Sequence, residues 1–348
     1  MIHLSQRRLA AALALGLLAL PLVPAAPASA NATPTCEYRT VPVNLSAADP
    51  TGYQIAGWAC WVGTAAHKPV ELLVPGFTYD HTYWDFPYQP DRYSYVRAAT
   101  NAKFVTFAID RLGTGQSSYP PSSLLTAQAH EYALHQVVGY LRGAFPGVPV
   151  VAVGHSAGSG TVLQEASDFA DVDAVLLTGL LHVPDAADAT FFGSFYPASL
   201  DPRFAGSGYD LGYLTTEPGT RGPVFYNLLV ADPLVIANDE LLKSTGSSTE
   251  LSSGDTSLLL TTSSAIHVPV MLAVGQDDAS FCNTTLGMSC DSTADVLSRE
   301  ALDWSAAACL SAFVLPSSGH DINLHPNASL WFAAANDWVS RHAAGTCS

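Results

Sequence analysis

The stretch VPVVAVGHSAGSGTVLQEASDF, Val148 to Phe169, joins an apolar run to a helix-compatible segment with nothing between them but Gly154-His155-Ser156-Ala157-Gly158. A run such as Val148 to Val153, apolar at nearly every position and without alternation, suits a strand buried on both faces. A connection this short must turn sharply, so glycine is needed on both sides of the turn. The serine between them is then held on a strained elbow at the start of the helix. In that strand-turn-helix setting Gly-x-Ser-x-Gly marks Ser156 as a candidate nucleophile.

Working outward, further apolar runs of strand length recur at Val70 to Val74, Phe104 to Ile109, Ala174 to Leu177, Val268 to Val274 and Ala312 to Leu315. Between two of them, Ser123 to Phe145 carries Leu134, Val137, Val138 and Leu141 at helical spacing and closes at Gly143 and Pro146. Asn327 to Ala343 reads as a last helix capped by Asn327, and Tyr38 to Val62 as antiparallel strands. This rhythm predicts an α/β fold with a mostly parallel central sheet and helices on both faces. It breaks from 184 to 266, a stretch rich in aromatics (Phe191, Phe192, Phe195, Tyr196, Tyr209, Tyr213, Phe225, Tyr226). That stretch is expected to be a cap inserted between a first part of the core, 31–183, and a second, 267–348.

A serine hydroxyl needs a base to take its proton, and the base needs a carboxylate to fix its tautomer. In an open parallel sheet these groups belong at strand C-termini. The run VPVMLAV ends in Gly275-Gln276-Asp277-Asp278, and Ala312 to Leu315 leads to Gly319-His320. Asp278 and His320 are therefore the expected acid and base. Asp277, Asp185 and Asp321 compete for the acid's place, and His325 for the base's. His155 is expected to point away from the site. The oxyanion that forms during attack requires two backbone N–H donors. Ala157, which follows the nucleophile, supplies one. The other falls after Val70 to Val74, in Pro75-Gly76-Phe77-Thr78, from Phe77 or, failing it, Thr78.

The formal charge is −16 with charged residues at 13%, so there is no basic stripe to neutralise phosphates, and nucleic acid is excluded as a partner. Arg7 and Arg8 precede an apolar run, Leu9 to Leu20, and Ala28-Ser29-Ala30 fits a cleavage site, so residues 1–30 read as a signal peptide of an exported, extracellular protein. The run is too short for a membrane span. Losing those thirty residues removes two arginines and no acid, which moves the charge to −18 and favours a soluble monomer. Six cysteines in an exported chain predict disulfides, of which the sequence-local set Cys36/Cys60, Cys282/Cys290 and Cys309/Cys347 is the favoured pairing. No CxxC or HExxH spacing is present, and neither a metal nor an organic cofactor is expected.

With these motifs the chain resembles the α/β-hydrolase family over nearly all of its length beyond residue 30. Asp110-Arg-Leu-Gly-Thr-Gly-Gln-Ser117 is similar to that family's D-x-x-G-x-G-x-S loop, and PGFTYDHTYWDF stands where the family carries a His-Gly oxyanion motif, with Pro75 in place of the histidine. The resemblance implies a secreted serine hydrolase that cleaves a small or medium apolar or aromatic ester through an acyl-enzyme on Ser156. A lipase, a peptidase or perhydrolase of the same fold, and a non-catalytic binding protein on that fold are the alternatives.

Overall fold

Backbone N–H and C=O groups buried on both faces of a sheet can be satisfied only by neighbouring strands. The apolar runs meet this condition together. The computed structural model describes residues 31–183, 189–253, 262–282 and 288–347. Strands β1 (Thr35–Val43), β2 (Tyr53–Trp61), β3 (Val70–Val74), β4 (Val105–Ile109), β5 (Val150–His155), β6 (Ala174–Thr178), β10 (Val270–Gly275) and β11 (Ser311–Leu315) form one sheet in the order β1-β2-β4-β3-β5-β6-β10-β11. From β4 to β11 neighbours are parallel, and β1 and β2 are antiparallel at one edge. Every residue of β3, β4, β5, β6 and β10 is buried. Pro42, which cannot donate to a ladder, lies in β1, the edge strand where that loss is tolerated.

Helices cover both faces. α3 (Ala127–Ala144) buries Leu134, Val137, Val138 and Leu141, and Thr126 caps it by accepting from the Ala129 N–H at 3.1 Å. With α4 (Ala157–Phe169) it lies over Val70, Leu72 and Val74. The opposite face, marked by Leu73, Val151 and Val153, is covered by α2 (Tyr95–Asn101) and α10 (Ala328–His342) through Val96, Trp331 and Trp338. Asn327 stands at the N-cap of α10 but does not cap it. Its amide instead donates to the Pro316 carbonyl at 2.8 Å and its oxygen accepts from Ser318 Oγ at 3.1 Å, so it braces the turn that leads to His320.

Between β6 and β10 the chain leaves the central sheet. It builds a second, antiparallel sheet from β7 (Phe195–Pro197), β8 (Tyr213–Thr216) and β9 (Gly246–Ser247), with short helices α6 (Arg221–Phe225), α7 (Pro233–Leu242) and α8 (Ser248–Ser253). Disulfides join Cys36 to Cys60, Cys282 to Cys290 and Cys309 to Cys347. The first links residues directly opposite each other in the β1–β2 ladder.

Candidate active site

Ser156 sits between β5 and α4 with φ 53° and ψ −122°, the sparsely populated geometry expected of the elbow. Its N–H donates to the Thr178 carbonyl at 2.8 Å, which ties the elbow to β6. The flanking glycines are dictated by contact: a Cβ on Gly154 would lie 2.5 Å from Ser159 Cα, and one on Gly158 would lie 2.4 Å from the Val74 carbonyl oxygen. The chain leaving β3 therefore crosses directly over the elbow. A Cβ on Gly76 would lie 3.2 Å from Ser156 Cβ, so the Gly76–Phe77 peptide borders the serine.

That peptide is held from its other end. Arg111, buried in the Asp110-to-Ser117 loop after β4, donates from Nη2 to the Gly76 carbonyl at 3.1 Å and is ion-paired through Nη1 with Glu250 of α8. Gly76 C=O and Phe77 N–H are opposite ends of one amide, so the guanidinium fixes the plane of that amide beside the elbow. The loop itself is closed around Asp110, whose Oδ2 accepts from the Gln116 N–H at 2.7 Å, while Gly115 passes too close to that carboxylate for any Cβ.

Asp278, at the end of β10, and His320, after β11, meet: His320 Nδ1 lies 2.9 Å from Asp278 Oδ2. The other carboxylate oxygen accepts from the Ser280 N–H at 2.9 Å. The His320 ring lies among Phe225, Phe281 and Phe191, with centroids 5.8, 6.3 and 6.4 Å away. Phe77 contributes a further ring against Phe195.

The competing residues have other work. Asp277 is exposed and accepts from Asn227 Nδ2 at 2.7 Å. His325 donates from Nδ1 to the Asp321 carbonyl at 2.9 Å, and its Nε2 accepts from the Gly319 and Asn227 N–H groups at 3.0 and 3.1 Å. Burial lowers its pKa, in keeping with an imidazole that both donates and accepts. Asp185 lies outside the described residues. His155 departs from expectation: its ring does not leave the site but lies 4.9 Å from that of His320, stacked on Tyr83 at 4.1 Å. Its Nδ1 meets Thr178 Oγ1 at 3.0 Å and its Nε2 meets Asp321 Oδ1 at 3.2 Å. Burial, with the charge of His320 adding to it, holds its pKa well below the usual histidine range, so His155 serves as a neutral floor.

Beneath that floor is a buried network that sequence reading missed. Asp321 accepts from Tyr79 Oη. Arg221 forks onto Asp239 at 2.8 and 3.0 Å, stacks over the Tyr79 ring at 4.1 Å and donates to Thr78 Oγ1 at 3.1 Å. Thr78 itself has φ 62°. Asp321 and Thr78 stand out in the sequence as candidate site residues, but nothing near them in the chain announces Arg221 and Asp239 as the partners that join them.

The profile of the "Alpha/beta hydrolase family" matches residues 72–331. The chain belongs to that family, and its sheet order and helical layers are the family's fold. Among solved structures it is similar to an esterase from Thermogutta terrifontis, at 18% identity and TM-score 0.59, over 88% of this chain and 100% of that one. It is also similar to a bromoperoxidase from Bacillus anthracis (17%, TM-score 0.57, 87% and 100%) and to a monoacylglycerol lipase from Paleococcus ferrophilus (16%, TM-score 0.56, 84% and 100%). No curated protein matches the sequence.

Proposed function

We propose that this protein is a secreted serine hydrolase that cleaves carboxylic esters, with Ser156 as nucleophile, His320 as general base and Asp278 as its orienting acid. The observation that carries the reading is the 2.9 Å contact of His320 Nδ1 with Asp278. With that nitrogen donating, Nε2 is the nitrogen left to take the proton of Ser156. Attack places negative charge on the substrate oxygen, where the Phe77 and Ala157 N–H groups receive it. The acyl group remains on Ser156 until water, activated by His320, displaces it.

The phenylalanines around His320 favour an apolar or aromatic acyl group, and residues 184–266 act as the cap that brings Phe191, Phe195 and Phe225 to the site. An aminopeptidase would need a free carboxylate for the substrate ammonium. Asp201 is engaged by Lys243 at 2.8 Å and by Tyr196, and Asp210 by Ser122 and Gly212, while Asp188 lies outside the described residues. A lipase is the second reading. Leu228, Leu229, Val230, Leu234 and Leu241 are all exposed on and just before α7, where no such apolar face was expected from the sequence.

Hydrolysis of p-nitrophenyl esters from acetate to palmitate, by the protein without residues 1–30 and by its Ser156→Ala variant, tests both readings. A Ser156-dependent rate is expected, greatest on short or medium chains. A rate that peaks on palmitate and jumps when the substrate forms an interface moves the assignment to lipase. A folded protein without Ser156-dependent turnover, and unlabelled at Ser156 by a fluorophosphonate, overturns both.

A further inference from the structure

Away from Ser156, two groupings of imidazole and carboxylate stand out among the described residues, and what satisfies each separates them. In the first, protein donors meet the carboxylates. Asp110 Oδ1 accepts from the His81 N–H at 2.9 Å and lies 2.7 Å from His81 Nδ1, and Asp80 accepts from Thr82 at 2.9 and 2.6 Å. No cation is called for there.

The second grouping lies on the seam between α3 and α4 and is composed of His135, Glu165 and Asp171. Each offers one ligand atom, and the three atoms lie within 4.8 Å of one another. Glu165 is fully buried, and no N–H or hydroxyl donor of the protein reaches either of its carboxylate oxygens, whose nearest polar neighbour is the carboxyl of Asp171. His135 Nδ1 is 2.8 Å from Asp171 Oδ2 and 3.7 Å from Glu165 Oε1, yet it makes no hydrogen bond either. Glu131, one turn before His135, and Asp168, one turn after Glu165, bring two more carboxyls to the seam. The guanidinium that acts on Glu165, Arg142, is spent on Asp173 at 2.8 Å and on the Asp171 carbonyl at 2.7 Å.

A buried carboxylate without donors is costly and keeps either a proton or a cation. The spacing suits a cation. Ligand atoms bound to one ion at ~2.1 Å sit ~3.0–3.4 Å apart in octahedral or tetrahedral geometry, and the observed 2.8 and 3.7 Å bracket that range. Stacking on Phe169 at 3.8 Å fixes the imidazole plane, and the partial exposure of His135 and Asp171 leaves a way in for the ion and its waters.

We propose that His135 Nδ1, Glu165 and Asp171 form a binding site for a divalent transition-metal ion, zinc or manganese, that ties α3 to α4. One imidazole with two carboxylates selects that class over magnesium or calcium, which prefer oxygen alone. The site rests on a different part of the molecule from the proposed reaction and stands whether or not Ser156 turns over esters.

The test uses the protein without residues 1–30, dialysed against EDTA and titrated with Zn²⁺ by calorimetry and with Mn²⁺ by electron paramagnetic resonance. One ion per chain is expected, with a Tm that rises with Zn²⁺ concentration. Glu165→Gln and His135→Gln should each weaken binding at least about 10-fold and leave p-nitrophenyl ester turnover unchanged. His135→Gln is the control should Glu165→Gln not fold by near-ultraviolet circular dichroism. Absence of a one-to-one ion, or equal binding by the unchanged protein and the folded variants, overturns the site.

Discussion

Ser156 holds a backbone angle that few non-glycine residues adopt, and it is kept there by close contact at Gly154 and Gly158 and by a hydrogen bond to β6. Ser156→Ala is expected to lower kcat on a p-nitrophenyl ester by about 10⁴-fold or more, and Asp278→Asn by about as much because the imidazole would present the wrong tautomer. The Asp277→Asn variant should retain activity within a few-fold, and steady-state kinetics on the three compares them. Arg111 acts on the amide of Phe77 from behind. Arg111→Met is expected to lower kcat by roughly 10–100-fold with KM little changed, less than the roughly 10²–10³-fold of an oxyanion donor removed outright, because the N–H stays in place and only its orientation is loosened. Its affinity for a boronic acid that mimics the tetrahedral intermediate should fall in step; unchanged boronate binding would refute the role. Ser156 was legible because its glycines are adjacent in sequence. Arg111 was not, since its partners Gly76 and Glu250 lie 35 and 139 positions away.

Among the elements, five of the inner strands, β3, β4, β5, β6 and β10, were legible because burial on both faces writes a nearly continuous apolar run, interrupted at Glu71 and Thr106. The small sheet was not, because β7, β8 and β9 are only two to four residues long and have no room to show a period. The seam of α3 and α4 was hidden for a different reason, its ligand set being divided between α3, α4 and the segment after α4, with thirty positions between His135 and Glu165. Gly158→Ala would drive a methyl into the Val74 and Pro75 carbonyls. Because both obstacles are backbone, a loss of roughly 3 kcal/mol in urea unfolding is expected. The Cys282–Cys290 bridge starts four residues past Asp278, and the Cys282 N–H donates to the Asp278 carbonyl at 2.7 Å. Replacing both cysteines by serine should cut turnover several-fold while Tm moves little, measured on the same preparation; parallel loss of both would assign the bridge to global stability alone.

For the whole molecule, the central sheet makes stability depend on pH. Glu71, fully buried in β3, has its pKa raised by burial to about 8. Below about 4.5 both folded and unfolded chains hold the proton. Between about 4.5 and 8 only the folded chain does, so that contribution declines on the order of 1 kcal/mol per pH unit across the window. Tm of the native protein should therefore fall relative to Glu71→Gln as pH rises from 5 to 8, and a constant gap would show that Glu71 is ionised in the fold. His130 has the opposite sense. Burial lowers it to about 4, and its contribution is lost as pH falls from about 6.5 toward 4.

Both margins of the eight-stranded sheet are riveted. Cys36–Cys60 fastens the outermost strand β1 to β2, and Cys309–Cys347 ties the approach to the opposite margin, β11, to the segment beyond α10. A sheet melts most readily by fraying inward from a strand bonded on one side only; here β1 cannot leave β2 without breaking a covalent bond, and β11 can leave β10 only together with the C-terminal segment it is bonded to. Opening must then carry a larger unit than one strand, at a higher barrier, so survival in the presence of proteases becomes a matter of rate more than of equilibrium.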